Sequence, residues 1–211
     1  MNKNLTELVF ILDKSGSMSG LEDDTIGGFN AMLKQHQAQE GAARITTVLF
    51  DNRYELLHDR LDLMAVSPMT TKEYQVGGST ALLDAMGRAI QKMDAVQKNS
   101  AEDYRAARVM FVIITDGMEN ASRKFTKGEI EELVKARRAM GWEFLFLGAN
   151  MDAVQVAQDY GIAPDRSVTF QLDQVGVNLN YQAVADATLQ YRKNRAVSPD
   201  WDKKIRERKD K

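Results

Sequence analysis

The stretch Leu8 to Gly20, "LVFILDKSGSMSG", sets an unbroken apolar run against a single aspartate and a series of alternating serines. The run is too continuously apolar for a strand with one wet face, so it reads as a central strand covered on both sides. Its polar end, Asp13-Lys-Ser15-Gly-Ser17, admits two readings. Either it is a turn between a strand and a helix, or its three oxygens converge on something positively charged.

Comparable runs rich in β-branched and aromatic residues recur at 43–51 ("ARITTVLFD"), 108–116 ("RVMFVIITD"), 142–150 ("WEFLFLGAN") and 167–172 ("SVTFQL"). The segment 53–61, "RYELLHDRL", follows a tight "DN" turn and reads as an antiparallel edge strand. Between the runs, apolar residues fall at helical spacing: Ile26, Phe29, Leu33 and His36; Leu83, Met86, Ile90 and Met93; Ile130, Leu133 and Val134. Thr126 and Glu129 have the spacing of a capping box ahead of the third helix. Strands alternating with helices predict a mostly parallel sheet with helices on both faces.

Composition narrows the functional classes. At 211 residues the chain is long enough for one well-buried core, and 44% hydrophobic with 27% charged residues is ordinary globular usage. A net charge of -2 supplies no global attraction to nucleic acid or to an anionic membrane, so neither is expected as a partner. The absence of cysteine excludes disulfides, thiolate nucleophiles and cysteine-type zinc sites, and suits a reducing compartment. The opening "MNKNLTELVF" lacks a signal-peptide pattern, and no apolar run approaches the ~20 residues of a spanning helix. A soluble, cytoplasmic protein is the expectation.

Ligands of open parallel sheets bind beyond the carboxyl ends of the strands. The polar groups expected at that edge are Asp13, Ser15 and Ser17 after the first run, Thr115, Asp116 and Gly117 after "FVII", and Gly77-Gly-Ser-Thr80 before the second helix. Asp13 and Asp116 with the hydroxyls of Ser15, Ser17 and Thr80 make an all-oxygen set suited to Mg²⁺, Mn²⁺ or Ca²⁺. Each residue also has an ordinary reading. Ser15, Ser17, Ser79 or Thr80 could cap a helix, and Asp-Gly is a common turn pair.

Asp13-x-Ser15-x-Ser17 at the end of a buried strand, the separate Thr80, and Asp116 followed by Gly117 together resemble the metal-ion-dependent adhesion site of von Willebrand factor type A domains. The resemblance covers about residues 5–172. It implies a three-layer Rossmann-like α/β domain over 1–172, sheet order 3-2-1-4-5-6 with the third strand antiparallel, and a C-terminal helical extension over 173–211. It also implies a divalent cation, Mg²⁺ first and Mn²⁺ or Ca²⁺ open. The cation is held by the serine hydroxyls, with Thr80, Asp13 and Asp116 joining directly or through water. Family members leave one coordination position for a Glu or Asp of a protein partner, and intracellular members often work beside ATPase-containing assemblies. The function implied is non-catalytic, metal-dependent protein binding.

An aspartate closing a first strand also resembles haloacid-dehalogenase-like phosphohydrolases, in which that residue is the nucleophile and Mg²⁺ assists. Those enzymes place a second acid two residues on, where this chain has Ser15. A third reading leaves the metal site vestigial and makes the C-terminal helix of 177–195, with Tyr181, Val184, Ala187 and Tyr191 on one face, a scaffold surface. The charged tail 202–211 reads as a solvated or frayed helix end. Glu119 and Asn120 read as a solvated loop, Asn150 and Asp152 as helix-capping residues, His36 and His58 as packing or surface, and Met86, Met93 and Met140 as core filler.

Overall fold

Strand β1 (Asn2–Asp13) divides its side chains between two cores, Leu8, Phe10 and Leu12 entering one and Val9 and Ile11 the other. This is the period-two alternation of a strand buried on both faces. The computed structural model describes residues 1–194 and 196–209, the side chain of Lys209 excepted. Arg195, which closes the helical stretch 177–195, and Asp210 and Lys211, which end the charged tail, lie outside the described residues.

Around β1 stand β2 (Ala42–Phe50), β3 (Tyr54–Asp62), β4 (Ala106–Thr115), β5 (Glu143–Ala149) and β6 (Ser167–Phe170). They form one sheet in the order β3-β2-β1-β4-β5-β6, in which β3 alone runs antiparallel. The register sets Asp13 opposite Phe50 and Leu12 opposite Ile114, so β1, β2 and β4 reach one edge together. Both the mixed sheet and its strand order agree with the expectation.

Helices α1 (Glu22–Gln37) and α5 (Gln174–Asn194) cover one face of the sheet, and α2 (Leu82–Asn99), α3 (Lys127–Ala139) and α4 (Ala153–Asp159) the other. On the second face Phe111 stacks between Trp142 and Phe144, with ring centroids 5.7 and 4.9 Å away. Burying each such side chain contributes roughly 1.5–3 kcal/mol. Helix α3 begins with the expected capping box between Thr126 and Glu129. Helix α5 sends Val177, Tyr181, Val184, Ala187 and Tyr191 into the same core as β1. Trp201 and Ile205, the latter in α6 (Lys203–Lys209), extend that core along β6.

Met86 and Met93 are buried as read, but Met140 is 67% exposed. It ends α3 as the C-cap residue, and its backbone turns back to Arg137 and Arg138 while the side chain points outward. His36 is buried against Thr188 and Arg192, and His58 bonds Thr47 within the sheet. No helix among the described residues is long and apolar enough to cross a membrane.

Candidate metal centre

Three loops meet where β1, β2 and β4 end. Asp13 is the last residue of β1, Asp116 follows β4 directly, and Thr80 stands just ahead of α2. Backbone hydrogen bonds lace them: Gly16 N–H to the Gly78 carbonyl (3.1 Å), Gly77 N–H to that of Lys14 (2.9 Å) and Ala81 N–H to that of Asp51 (2.9 Å). Gly78 adopts φ +76° and lies so close to Asn52 and Asp51 that a side chain there would collide.

Within that frame the five residues singled out from the sequence share one neighbourhood. Ser15 N–H donates to Asp13 Oδ1 at 2.7 Å, the Ser15 and Ser17 hydroxyls lie 3.1 Å apart, and Ser17 Oγ donates to Asp116 Oδ1 at 2.7 Å. The Thr80 hydroxyl closes the group: a Cβ on Gly117 would stand 2.6 Å from Thr80 Oγ1 and 3.5 Å from Ser17 Oγ. Asp13, Ser15, Thr80 and Asp116 are buried, whereas Ser17 is exposed, so the cluster opens to solvent on one side. Ser15, ahead of the turn Gly16–Met18, makes no side-chain capping bond, and neither does Ala81 at the N-cap of α2, so the serine and threonine hydroxyls are not spent on these caps.

Several supports were not legible as such in the sequence. Thr115 Oγ1 lies 2.6 Å from Asp13 Oδ2, and the Tyr74 hydroxyl donates to the Asp13 carbonyl at 2.5 Å. Asn120 is an exposed loop residue, as read, and it is also a brace. Its Oδ1 accepts the Thr80 N–H at 2.9 Å, and its own N–H donates to the Thr80 carbonyl at 3.0 Å. Glu119 accepts from the backbone of Leu83, Ala121 and Ser122 and so ties the β4 loop to the start of α2. Asp152, as read, caps α4 by accepting from Gln155.

Both carboxyls of the cluster are raised above their ordinary range. Burial pushes the Asp116 carboxyl up to about 6, with the nearby Asp13 charge adding to the rise and the Ser17 hydrogen bond opposing it. Burial likewise raises Asp13, against the pull of the Thr115 and Ser15 hydrogen bonds. Asp116 Oδ2 is buried with no hydrogen-bond partner. An unpaired buried carboxylate oxygen is costly, and a cation beside it removes the cost and reverses both shifts. Among the described residues no group of three or more His, Asp or Glu side chains gathers to bind a metal. A cation here therefore depends on hydroxyls and water beside two carboxylates, a set that fits a hard ion.

No protein-family model matches the sequence, and no curated protein matches it. Solved structures do match. A von Willebrand factor type A protein from Catenulispora acidiphila aligns over 89% of this chain and 43% of its own, at 14% identity and TM-score 0.61. The vWF domain of the type V pili tip protein Mfa5 from Porphyromonas gingivalis aligns over 94% of this chain and 99% of its own, at 10% identity and TM-score 0.62. Proximal thread matrix protein 1 from the mussel byssus, with a zinc-occupied MIDAS motif, aligns over 89% and 46%, at 13% identity and TM-score 0.56. The chain thus spans less than half the length of the first and third of these. Likenesses this distant establish the fold: the chain has the von Willebrand factor type A architecture, with its hydroxyl and carboxylate cluster at the carboxyl edge of the sheet.

Proposed function

We propose that this chain is a non-catalytic protein-binding module whose grip depends on a divalent cation. The cation, Mg²⁺ first, is held by Asp13, Ser15, Ser17, Thr80 and Asp116, and it offers its remaining position to a Glu or Asp of a protein partner. The observation that carries the reading is Asp116 Oδ2, buried and unpartnered among hydroxyl groups not spent on the caps of Gly16–Met18 and α2. Neutral hydroxyls withdraw little charge from a cation, which therefore still attracts an external carboxylate. The zinc-occupied MIDAS of the mussel matrix protein and the adhesin role of the SpaC pilus protein from Lactobacillus rhamnosus, another structural neighbour, support a binding role over turnover.

The phosphohydrolase reading is weaker for a chemical reason. The position of the second acid, two residues after Asp13, is Ser15. Phosphoryl transfer to an aspartate needs a proton donor for the leaving group, and a serine hydroxyl is a poor one. The cysteine-free composition fits a reducing compartment, and we place the module in the cytoplasm, where an ATPase-containing assembly is a candidate partner.

The test is affinity capture from the native host in Mg²⁺ and again in chelator, with Ser15→Ala as the matched control. A partner retained in Mg²⁺ and lost in both other arms supports the module. Capture indifferent to chelator, or Asp13-dependent hydrolysis of p-nitrophenyl phosphate, contradicts it.

A further inference from the structure

A second feature adjoins the cluster. A cleft of about 800 Å³ runs from Ser79 and Asn120 along the start of α2, and Arg53, Arg88, Arg123 and Lys124 line it. Asp84 is the single acidic residue in the lining, and its carboxylate is already occupied by the backbone N–H groups of Arg123, Lys124 and Phe125. Arg53 is paired with Asp51 and Glu55. Arg88 lies over the Tyr54 ring, 4.0 Å from its centroid, and forms no ion pair among the described residues; nor do Arg123 and Lys124. All three are exposed. Against the one negative charge of Asp84, the three cations without an ion pair leave the cleft net positive, a local field opposite in sign to the chain's net charge of -2.

The cleft and the metal cluster share a wall. Ser79 precedes Thr80 in the chain, Asn120 is bonded to Thr80 in both directions, and Ala121 N–H reaches the Thr80 carbonyl at 3.2 Å. The cleft that Arg88, Arg123 and Lys124 line thus begins at the residues that hold Thr80.

We infer that the partner segment is an acidic peptide, in which one carboxylate meets the cation and flanking Glu or Asp residues lie in this basic cleft. The inference rests on the metal-dependent reading and adds the chemistry of the residues around the anchoring acid. Rim cations of this kind steer and select a partner through its charge pattern, with a strong dependence on salt.

Fluorescence anisotropy with labelled hexaglutamate, and with a hexapeptide carrying one Glu among alanines, tests it in Mg²⁺ and in chelator. The expected result is hexaglutamate binding that weakens by about tenfold or more in the variant R88E/R123E/K124E, while single-Glu binding and Mn²⁺ uptake by calorimetry stay as in the wild type. Equal hexaglutamate affinity for the wild type and the variant overturns the inference. Absence of hexaglutamate binding to the wild type does the same. Displacement by inorganic phosphate beyond the effect of chloride at equal ionic strength also overturns it, in favour of an oxyanion site. Hexaglutamate binding that survives chelator and is lost in the charge-reversed variant supports the cleft while removing the metal anchor, so the two readings fail separately.

Discussion

Two buried polar clusters lie on the same chain, and they are built on opposite terms. At the end of α1, Arg192 from α5 has its terminal nitrogens filled by the carbonyls of His36 (2.9 Å), Gln39 (3.2 Å) and Gly41 (2.8 Å), and by His36 Nδ1 (3.0 Å). His36 Nε2 meets the Thr188 hydroxyl at 2.7 Å, and that hydroxyl donates a hydrogen bond to the Val184 carbonyl at 2.6 Å. A positive group placed on the carbonyl end of a helix is well supplied with acceptors. At the carboxyl edge of the sheet, by contrast, Asp116 retains an unpartnered oxygen and both carboxyls are raised by burial. The first network is satisfied within the fold; the second is the one to which we assign the cation in the proposed function.

The sharpest way to break the comparison is Arg192→Leu. It strands several carbonyls under α5, and an unfolding free energy lower by about 3 kcal/mol in urea titration is expected, with any metal response of the surviving folded fraction intact. A loss under 1 kcal/mol would show that Arg192 is not what fixes α5.

The same network gives a pH dependence with a definite sign. His36 is pushed down to about 3, by burial first and the Arg192 charge second, so it is neutral in the fold and protonates more readily unfolded. Its contribution is present above the ordinary histidine value of about 6.5 and is lost as pH falls toward 3. The His36 share, read as the difference between wild type and His36→Gln in urea titration, should drop by about 2 kcal/mol between pH 6.5 and 5. Asp116, raised to about 6, contributes with the opposite sign over the same range in both chains; equal slopes for wild type and variant would assign the dependence elsewhere.

Asp116→Asn is expected to act in the opposite direction. Removing a buried charge that lacks a full set of partners should leave the metal-free chain as stable as before, or more stable by about 1 kcal/mol, in the same titration. A loss of 2 kcal/mol or more would place Asp116 among the structural groups. The smallest effect belongs to Asn120→Ala. It removes the bond to the Thr80 N–H and leaves all five candidate ligand side chains in place, and a three- to tenfold weaker metal affinity by calorimetry is expected at nearly unchanged stability, as for supports one layer behind a metal ligand.

These differences also mark how far the sequence could be read. Strands β1, β4 and β5 announce themselves as continuous apolar runs, and Asp13 and Asp116 follow because each closes one of them. Thr80 is marked by its place before a helix. Tyr74 carries no such mark, and Thr115 is marked only as a neighbour of Asp116, since their bonds to Asp13 span 61 and 102 positions and exist only once the sheet is assembled. Asn120 lies in a polar loop whose composition looks solvated, and its partner is 40 residues upstream. Helix α4 is too short to show a period, and the one apolar anchor of α6, Ile205, is hidden among charges.

Calorimetric titration of Mn²⁺ and then Mg²⁺ into chelator-treated chain, wild type beside Asp116→Asn, tests the central claim most directly. One saturable site in the wild type that disappears in the folded variant is the predicted result. No uptake by the wild type, or equal uptake by both, would contradict a divalent cation at this cluster.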